Sequence, residues 1–214
     1  MTAGDAAVDM ARHANTRPAV FLDRDGTIIE DRGDLSDLGQ VVFFGDAVPA
    51  LRRLAGRFAL FIVTNQSGVS KGTIGIEDAH RVNRHVEACL AARGVSITAT
   101  YCCPHQRSSG CRCIKPNPHF LREAERDHRI DLARSFTVGD HPHDVEFARR
   151  VGATGIYVLT GHGTRHRHEV PADELVVDGI GDAADLILSM TAGRRGRGGA
   201  AVRGRGDAGP GQTR

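Results

Sequence analysis

Several apolar runs of four to six residues end abruptly in polar motifs, and they restrict this chain to one broad class of fold. Ala19 to Leu22 runs into Asp23-Arg24-Asp25-Gly26-Thr27, Phe58 to Val63 into Thr64-Asn65, and Ser135 to Val138 into Gly139-Asp140. Short apolar runs bounded in this way fit strands buried on both faces. Between them lie stretches of helical character: Ala47 to Leu54, Ile76 to Arg93 closed by Gly94, Pro118 to His128 and Asp144 to Val151. Further strands are expected at Ile97 to Tyr101, Thr154 to Leu159 and Leu175 to Val177, with a last helix at Gly181 to Met190. Strands alternating with helices predict an α/β fold, a Rossmann-like parallel sheet with helices on both faces.

With 214 residues, 40% of them hydrophobic, the chain can bury one sizeable core, and a single domain over 18–192 is expected. Residues 1–17 are expected to form a flexible N-terminus and 193–214 a disordered Arg/Gly-rich tail. That tail distorts the net charge of +2: it holds six of the 28 basic residues and only one acid, Asp207. The body carries 22 basic against 25 acidic residues, so attraction for an anion must come from local groups. No apolar run approaches the roughly 20 residues of a membrane span, and Met1 to Thr16 has no continuous apolar core of a leader. The expectation is a cytoplasmic monomer without a membrane partner.

In open parallel sheets, ligands bind beyond the carboxyl ends of the strands. That rule selects Asp23, Arg24, Asp25, Gly26 and Thr27 from the first strand, Thr64, Asn65 and Ser67 from the second, and Gly139, Asp140 and Asp144 from the fourth. Carboxylates gathered on one edge repel unless a hard cation lies between them, and Mg²⁺ takes oxygen ligands while leaving room for water and a phosphate. Such a cation admits a phosphate dianion that bare carboxylates would exclude. One carboxylate is then suited to act as nucleophile, and a second to protonate the leaving oxygen and activate water. Thr64 and Asn65 offer donors to phosphoryl oxygens, and Lys115 a positive charge where the transition state spreads negative charge. The expected partner is a small phosphorylated metabolite.

Cys102, Cys103, Cys111 and Cys113 lie within twelve residues together with His105. This clustering is too local for a disulfide framework and fits a structural zinc site. Cys103, His105, Cys111 and Cys113 supply three thiolates and one imidazole; Cys102 is the spare thiol, although either neighbour could be the ligand. Cys89 is expected to be an ordinary buried helix residue.

The ordered set Asp23-x-Asp25-Gly26-Thr27, Thr64-Asn65, Lys115-Pro116 and Gly139-Asp140-x-x-x-Asp144 resembles the haloacid dehalogenase superfamily, over roughly residues 19–190. The resemblance implies that Asp23 is the nucleophile, Asp25 the general acid/base, Thr64 the phosphate-binding residue and Lys115 the stabilising lysine. It makes Asp140 the main Mg²⁺ ligand, beside Asp23 and the carbonyl of Asp25. Asp144 is placed behind them, holding Lys115 or the metal water.

The zinc loop narrows the resemblance to the branch of sugar bisphosphate phosphatases acting on heptose 1,7-bisphosphate, with histidinol phosphate phosphatases as the alternative. Only 40 residues separate Asp23 from Thr64, leaving no room for a large cap domain. Substrate choice then falls to the loops around Asp31 to Val42, Lys71 to Thr73 and Arg107 to Arg112. The chain departs from that branch at Ile114, where an Arg is usual, and at His141, where a Lys is common; Arg107, Arg112 or Lys71 are the candidates to compensate. His141 and His143 are read as solvent-facing loop residues rather than metal ligands, with a protonated His141 replacing the lysine in acid. A different class, a nucleic-acid-binding module built from the zinc loop and the Arg-Gly tail, is disfavoured by the acidic body and an aromatic content of 5%.

Overall fold

The computed structural model describes residues 16–195, and the side chains of 193–195 lie outside the description. The N-terminal segment and almost all of the Arg/Gly tail are therefore outside the described residues. Six strands form one parallel sheet: β1 (Ala19–Leu22), β2 (Ala59–Asn65), β3 (Ala99–Cys103), β4 (Phe136–Gly139), β5 (Thr154–Val158) and β6 (Leu175–Val177). Their order is β3-β2-β1-β4-β5-β6, and every pairing is parallel. The sheet reverses its direction of growth at β1, so the ends of β1, β2 and β4 are neighbours and their loops open onto one crevice.

Helices cross between the strands: α1 (Ala47–Ala55), α2 (Gly68–Lys71), α3 (Ile76–Ala91), α4 (His119–His128), α5 (Pro142–Arg149), α6 (Gly163–His166) and α7 (Ile180–Arg195). Period-two alternation sends strand side chains to opposite faces. Val20, Leu22, Leu60, Ile62 and Val138 pack with α1, α3 and α7 on one face. Ala19, Phe21, Phe61 and Val63 pack with Leu121 and Ala124 of α4 and Phe147 of α5 on the other. An aromatic series Phe21, Phe61, Tyr101, Phe120, with ring centroids 5.0 to 6.1 Å apart, fills this second face. The α/β expectation holds, and no large cap interrupts the core.

Several boundaries differ from the sequence expectation for one reason: pairing, not local composition, decides where a strand stops. β2 runs through Thr64 and Asn65, and β3 follows it to Cys103 because Asn65 pairs with Cys103. The cysteines 102 and 103 thus sit on a strand rather than in a loop. Helix α5 begins two residues early, with His141 as its N-cap and Pro142 in its first turn. Helices α2 and α6 are single turns too short to show a periodicity. Helix α7 continues to Arg195, past the expected start of the tail at 193.

The start of β1 depends on a buried hydroxyl. Ala19 N–H donates to Ser135 Oγ at 2.9 Å, and Ser135 donates in turn to the Asp131 carbonyl at 2.5 Å. Ser135 has no exposed surface, so its removal leaves a buried N–H unpaired. Ser135→Ala should lower the unfolding free energy by about 1–3 kcal/mol, read in urea as a lower midpoint with an unchanged slope.

Candidate active site

The crevice at the sheet edge is a cavity of about 290 Å³. Its lining includes Asp23 and Asp25 after β1, Thr64, Asn65 and Gln66 at the end of β2, Lys115, and Asp140 and Asp144 after β4. Asp31, Asp34, Arg107, His141, His143 and His162 form its outer part.

Lys115 organises the centre. Its Nζ donates to Asp23 Oδ1 at 2.7 Å, to Asp144 Oδ1 at 2.6 Å and to the Val63 carbonyl at 2.9 Å, one acceptor for each ammonium proton. Burial opposes its charge, yet Asp144 and Asp23 hold its pKa above the ordinary lysine value. The Lys115 backbone N–H donates to Asn65 Oδ1 at 3.1 Å, which leaves the Asn65 amide hydrogens for another acceptor. Asp144 is held from behind, where Oδ2 accepts from His141 N at 3.1 Å. It fits against Gly139, where an added Cβ would lie 2.2 Å from Asp144 Cγ.

Asp23, Asp140 and Asp144 each place a carboxylate oxygen within 4.8 Å of the others. Burial raises the Asp140 pKa to about 8, helped by Asp23 and Asp144. Burial likewise raises Asp23 to about 6, against the pull of Lys115. Two glycines make room for Asp140: a Cβ on Gly26 or Gly161 would lie 2.0 or 2.2 Å from its Oδ2. Both have positive φ, +79° and +53°, which suits glycine alone among common residues. His162 N–H donates to the same oxygen at 2.7 Å, and Thr160 Oγ1 donates to the Gly26 carbonyl at 2.6 Å. The acids are thus preorganised, close and short of positive charge, a donor set that fits a hard divalent cation.

Asp25 faces a different environment. Its carboxylate receives Arg24 and Gln66 Nε2 at 2.8 Å, with the Thr64 hydroxyl at 3.5 Å. Burial raises its pKa against the opposing effect of Arg24. With the side chain so engaged, only its backbone carbonyl remains for the metal role expected of Asp25.

The cysteine cluster lies beside this pocket. Cys103 Sγ is 3.1 Å from Cys113 Sγ and 3.7 Å from Cys111 Sγ, and His105 Nδ1 is 3.3 Å from Cys113 Sγ. All five cysteines are free thiols. Thiolates around zinc, with Zn–S near 2.3 Å, stand about 3.7 Å apart at tetrahedral angles, so the cluster has the size and chemistry of a four-coordinate site. Cys103 points into the cluster, while Cys102, the next residue on β3, meets the side chain of Asn83.

Other expected residues fall differently. Arg107 lines the mouth, whereas Arg112 and Lys71 are exposed and do not line the pocket. Ile114 is buried at 8% exposure, away from the pocket lining. His141 and His143 do not face solvent as expected: their rings stack at 4.4 Å, half-buried on the pocket wall, with His166 4.8 Å from His141. Burial pushes both down to about 4, helped for each by Arg107, so His141 does not supply the missing lysine's charge in mild acid. The sequence reading assigned no role to Gln66 or to Thr160-Gly161-His162. The latter follow β5 after one residue, Leu159, and the strand-end rule applied to that strand would have found them.

Comparison with known proteins agrees with this geometry. A HAD-hydrolase-like family model matches residues 112–183. The D-glycero-β-D-manno-heptose-1,7-bisphosphate 7-phosphatase of Photorhabdus laumondii is 35% identical over 183 residues, covering 81% of this chain and 96% of the relative. The enzyme of the same name from Escherichia coli K12 is 34% identical over 184 residues, 81% and 95% of the two chains. Among solved structures, the D,D-heptose 1,7-bisphosphate phosphatase of B. bronchiseptica, complexed with magnesium and phosphate, superposes with a TM-score of 0.74 at 26% identity, over 81% of this chain and 99% of that one. The chain belongs to the HAD-like hydrolases, within the family of the D-glycero-D-manno-heptose-1,7-bisphosphate 7-phosphatases.

Proposed function

We propose that the chain is a Mg²⁺-dependent phosphatase that removes the 7-phosphate of D-glycero-D-manno-heptose 1,7-bisphosphate through an aspartyl-phosphate on Asp23. The observation that carries this reading is the Lys115 ammonium fixed between Asp23 and Asp144, in a pocket that also holds Asp25, Thr64 and Asp140. The names of the full-length relatives favour the heptose over histidinol phosphate, the alternative left open by the cysteine loop.

Asp23, oriented by Lys115, attacks the phosphorus as the bond to the sugar oxygen breaks. Asp25, whose pKa burial raises, gives its proton to that oxygen. Water then attacks the phosphorus, Asp25 takes its proton, and inorganic phosphate leaves as Asp23 is restored. Thr64 and the Asn65 amide donate to the phosphoryl oxygens, and Lys115 faces the charge that develops on them. Arg107 is the cation at the mouth placed to meet a second anionic group. Asp23, Asp140 and the Asp25 carbonyl are the groups that would hold Mg²⁺, which supplies charge neutralisation between carboxylates and phosphate. Cys103, His105, Cys111 and Cys113 would hold Zn²⁺ in a structural role.

Phosphate release from heptose 1,7-bisphosphate and from histidinol phosphate, measured side by side, tests the assignment. Asp23→Asn should reduce release by more than about a thousand-fold with the fold retained. Release that survives in this variant would overturn the nucleophile, and preference for histidinol phosphate would overturn the substrate.

The raised acids predict a pH dependence. Asp140 and Asp23 keep their protons in the ion-free fold above the ordinary carboxylate range. The ion-free protein therefore loses stability as pH rises through the window up to about 8. Because Mg²⁺ must displace those protons, its effect on Tm at a fixed concentration should be larger at about pH 8 than at about pH 5.5. Differential scanning fluorimetry reads this directly, and an equal effect at both would count against the site.

Cys111→Ser should lower the zinc content and reduce Tm by roughly 10 °C or more. Its kcat should fall as well, because Lys115 follows the last thiol by two residues. Metal analysis with thermal melts checks the first claim and steady-state kinetics the second.

A further inference from the structure

Arg24 is fully buried between the two aspartates of the first motif, yet the chemistry above gives it no part. Its Nε and Nη2 donate to both oxygens of the Asp25 carboxylate at 2.8 to 3.2 Å. Its Nη1 donates to Asn83 Oδ1 on α3 at 2.6 Å. Asn83 is itself only 5% exposed, so the guanidinium is clamped from behind by an element of the core. Gln66, also 5% exposed, reaches the same carboxylate from just beyond β2, where Nε2 lies 2.8 Å from Asp25 Oδ2 and 2.8 Å from Thr64 Oγ1.

A guanidinium withdrawn from water loses solvation that an apolar side chain of similar volume would not lose. Among the described residues its side-chain hydrogen bonds go to Asp25 and Asn83 alone, so the charge adds little that packing alone would not provide. What it does provide is a fixed carboxyl group. Asp25 has two free torsions, and a proton must pass between its oxygen and a leaving group within hydrogen-bond reach. The planar fork of Arg24 restricts both torsions, as a lysine's single ammonium would not. Gln66 adds a second effect: because Nε2 donates to Thr64 Oγ1, the Thr64 hydroxyl proton is left to point elsewhere, toward Asp25 or a phosphoryl oxygen.

We propose that Arg24 and Gln66 are positioning residues that hold the Asp25 carboxyl at the place of proton transfer, with Asn83 as the anchor of Arg24. The inference rests on the reading of Asp25 as general acid/base. It predicts a defect that depends on the leaving group. A sugar alkoxide needs a proton as it departs, whereas p-nitrophenolate leaves without one. A general structural fault would slow both substrates alike.

The test compares kcat/KM for heptose 1,7-bisphosphate and p-nitrophenyl phosphate, with Mg²⁺, in the full chain and in Asp25→Ala, Arg24→Met, Arg24→Lys, Gln66→Leu and Asn83→Ala. Asp25→Ala should lose about a hundred-fold or more on the sugar phosphate and far less on the aryl ester. Arg24→Met and Gln66→Leu should show the same selectivity at roughly ten-fold or more, and Arg24→Lys should recover part of it. Where Arg24→Met does not fold, Asn83→Ala carries the same comparison and should show a smaller loss with the same selectivity. Equal losses on both substrates for the Arg24, Gln66 and Asn83 variants, beside a selective Asp25→Ala, would overturn the positioning role alone. An unselective Asp25→Ala would overturn the general acid/base reading itself, and this inference with it.

Discussion

Lys115 has three ammonium protons, and the fold supplies each with an acceptor from a different element: Asp23 after β1, the Val63 carbonyl of β2, and Asp144 in the first turn of α5. The three acids Asp23, Asp140 and Asp144 place carboxylate oxygens within 4.8 Å of one another, so ionisation of each is opposed by its neighbours. Among the described residues, the ammonium is the one counter-charge in contact with two of them, and it reaches them from a loop that belongs to neither strand. Removing one partner from such a buried cluster leaves a charge uncompensated, at a cost of about 3–5 kcal/mol. The geometry of Asp23 is therefore inseparable from the folding of the segment that delivers Lys115.

That segment is the cysteine loop. Cys111 and Cys113 shortly precede Lys115, and the start of the loop is tied to the segment after β2 by Gln66 N to the Cys103 carbonyl at 2.7 Å and by Ser70 N of α2 to the Pro104 carbonyl at 3.1 Å. Asn117 Nδ2 returns to the Cys111 carbonyl at 2.9 Å. The loop contains only a three-residue turn of 3-10 helix, Arg107–Ser109. A loop with so little regular backbone pairing needs another source of order. The thiol and imidazole cluster lies where a bound ion would provide it, at the base of the stretch that carries both Lys115 and Arg107. A structural metal site there would couple metal content to catalysis without any contact with substrate.

Much of this arrangement was legible in the sequence because its signals are local. All six strands and the main helices follow from apolar runs, and Asp23, Thr64 and Asp140 follow from being the first polar residues after them. β1 and β6 keep the expected bounds, and the other strand ends shift by at most two residues because pairing with a neighbour sets a strand's length, as β2 and β3 show by extending together to Asn65 and Cys103. What stayed hidden depends on contacts between distant residues. Arg24 meets Asn83 across 59 positions and Gln66 meets Asp25 across 41, and neither pair carries a spacing that a motif could encode. The neutral character of His141 was hidden for the same reason, since it comes from burial on the pocket wall and from proximity to His166 and Arg107.

The outer pocket shows how the two departures from the branch's usual pattern alter recognition. A lysine at position 141 would add a second full charge beside the phosphate, and an arginine at 114 a third. Here Ile114 is packed away from the pocket, and a pair of stacked imidazoles, pushed down to about 4, occupies the wall instead. Across the mouth, Asp31 accepts from Gly33 N and sits 3.2 Å from His162 Nδ1, while Asp34 accepts from Thr73 Oγ1 at 2.5 Å. Among the described residues, Arg107 is the one arginine or lysine of the outer lining, which also holds the carboxylates of Asp31 and Asp34. Neutral imidazoles and carboxylates hydrogen-bond to hydroxyl groups, so the wall is better suited to the sugar's hydroxyls than to a second phosphate. Arg107 is an exposed side chain, so any pull it exerts on an anion is screened by salt.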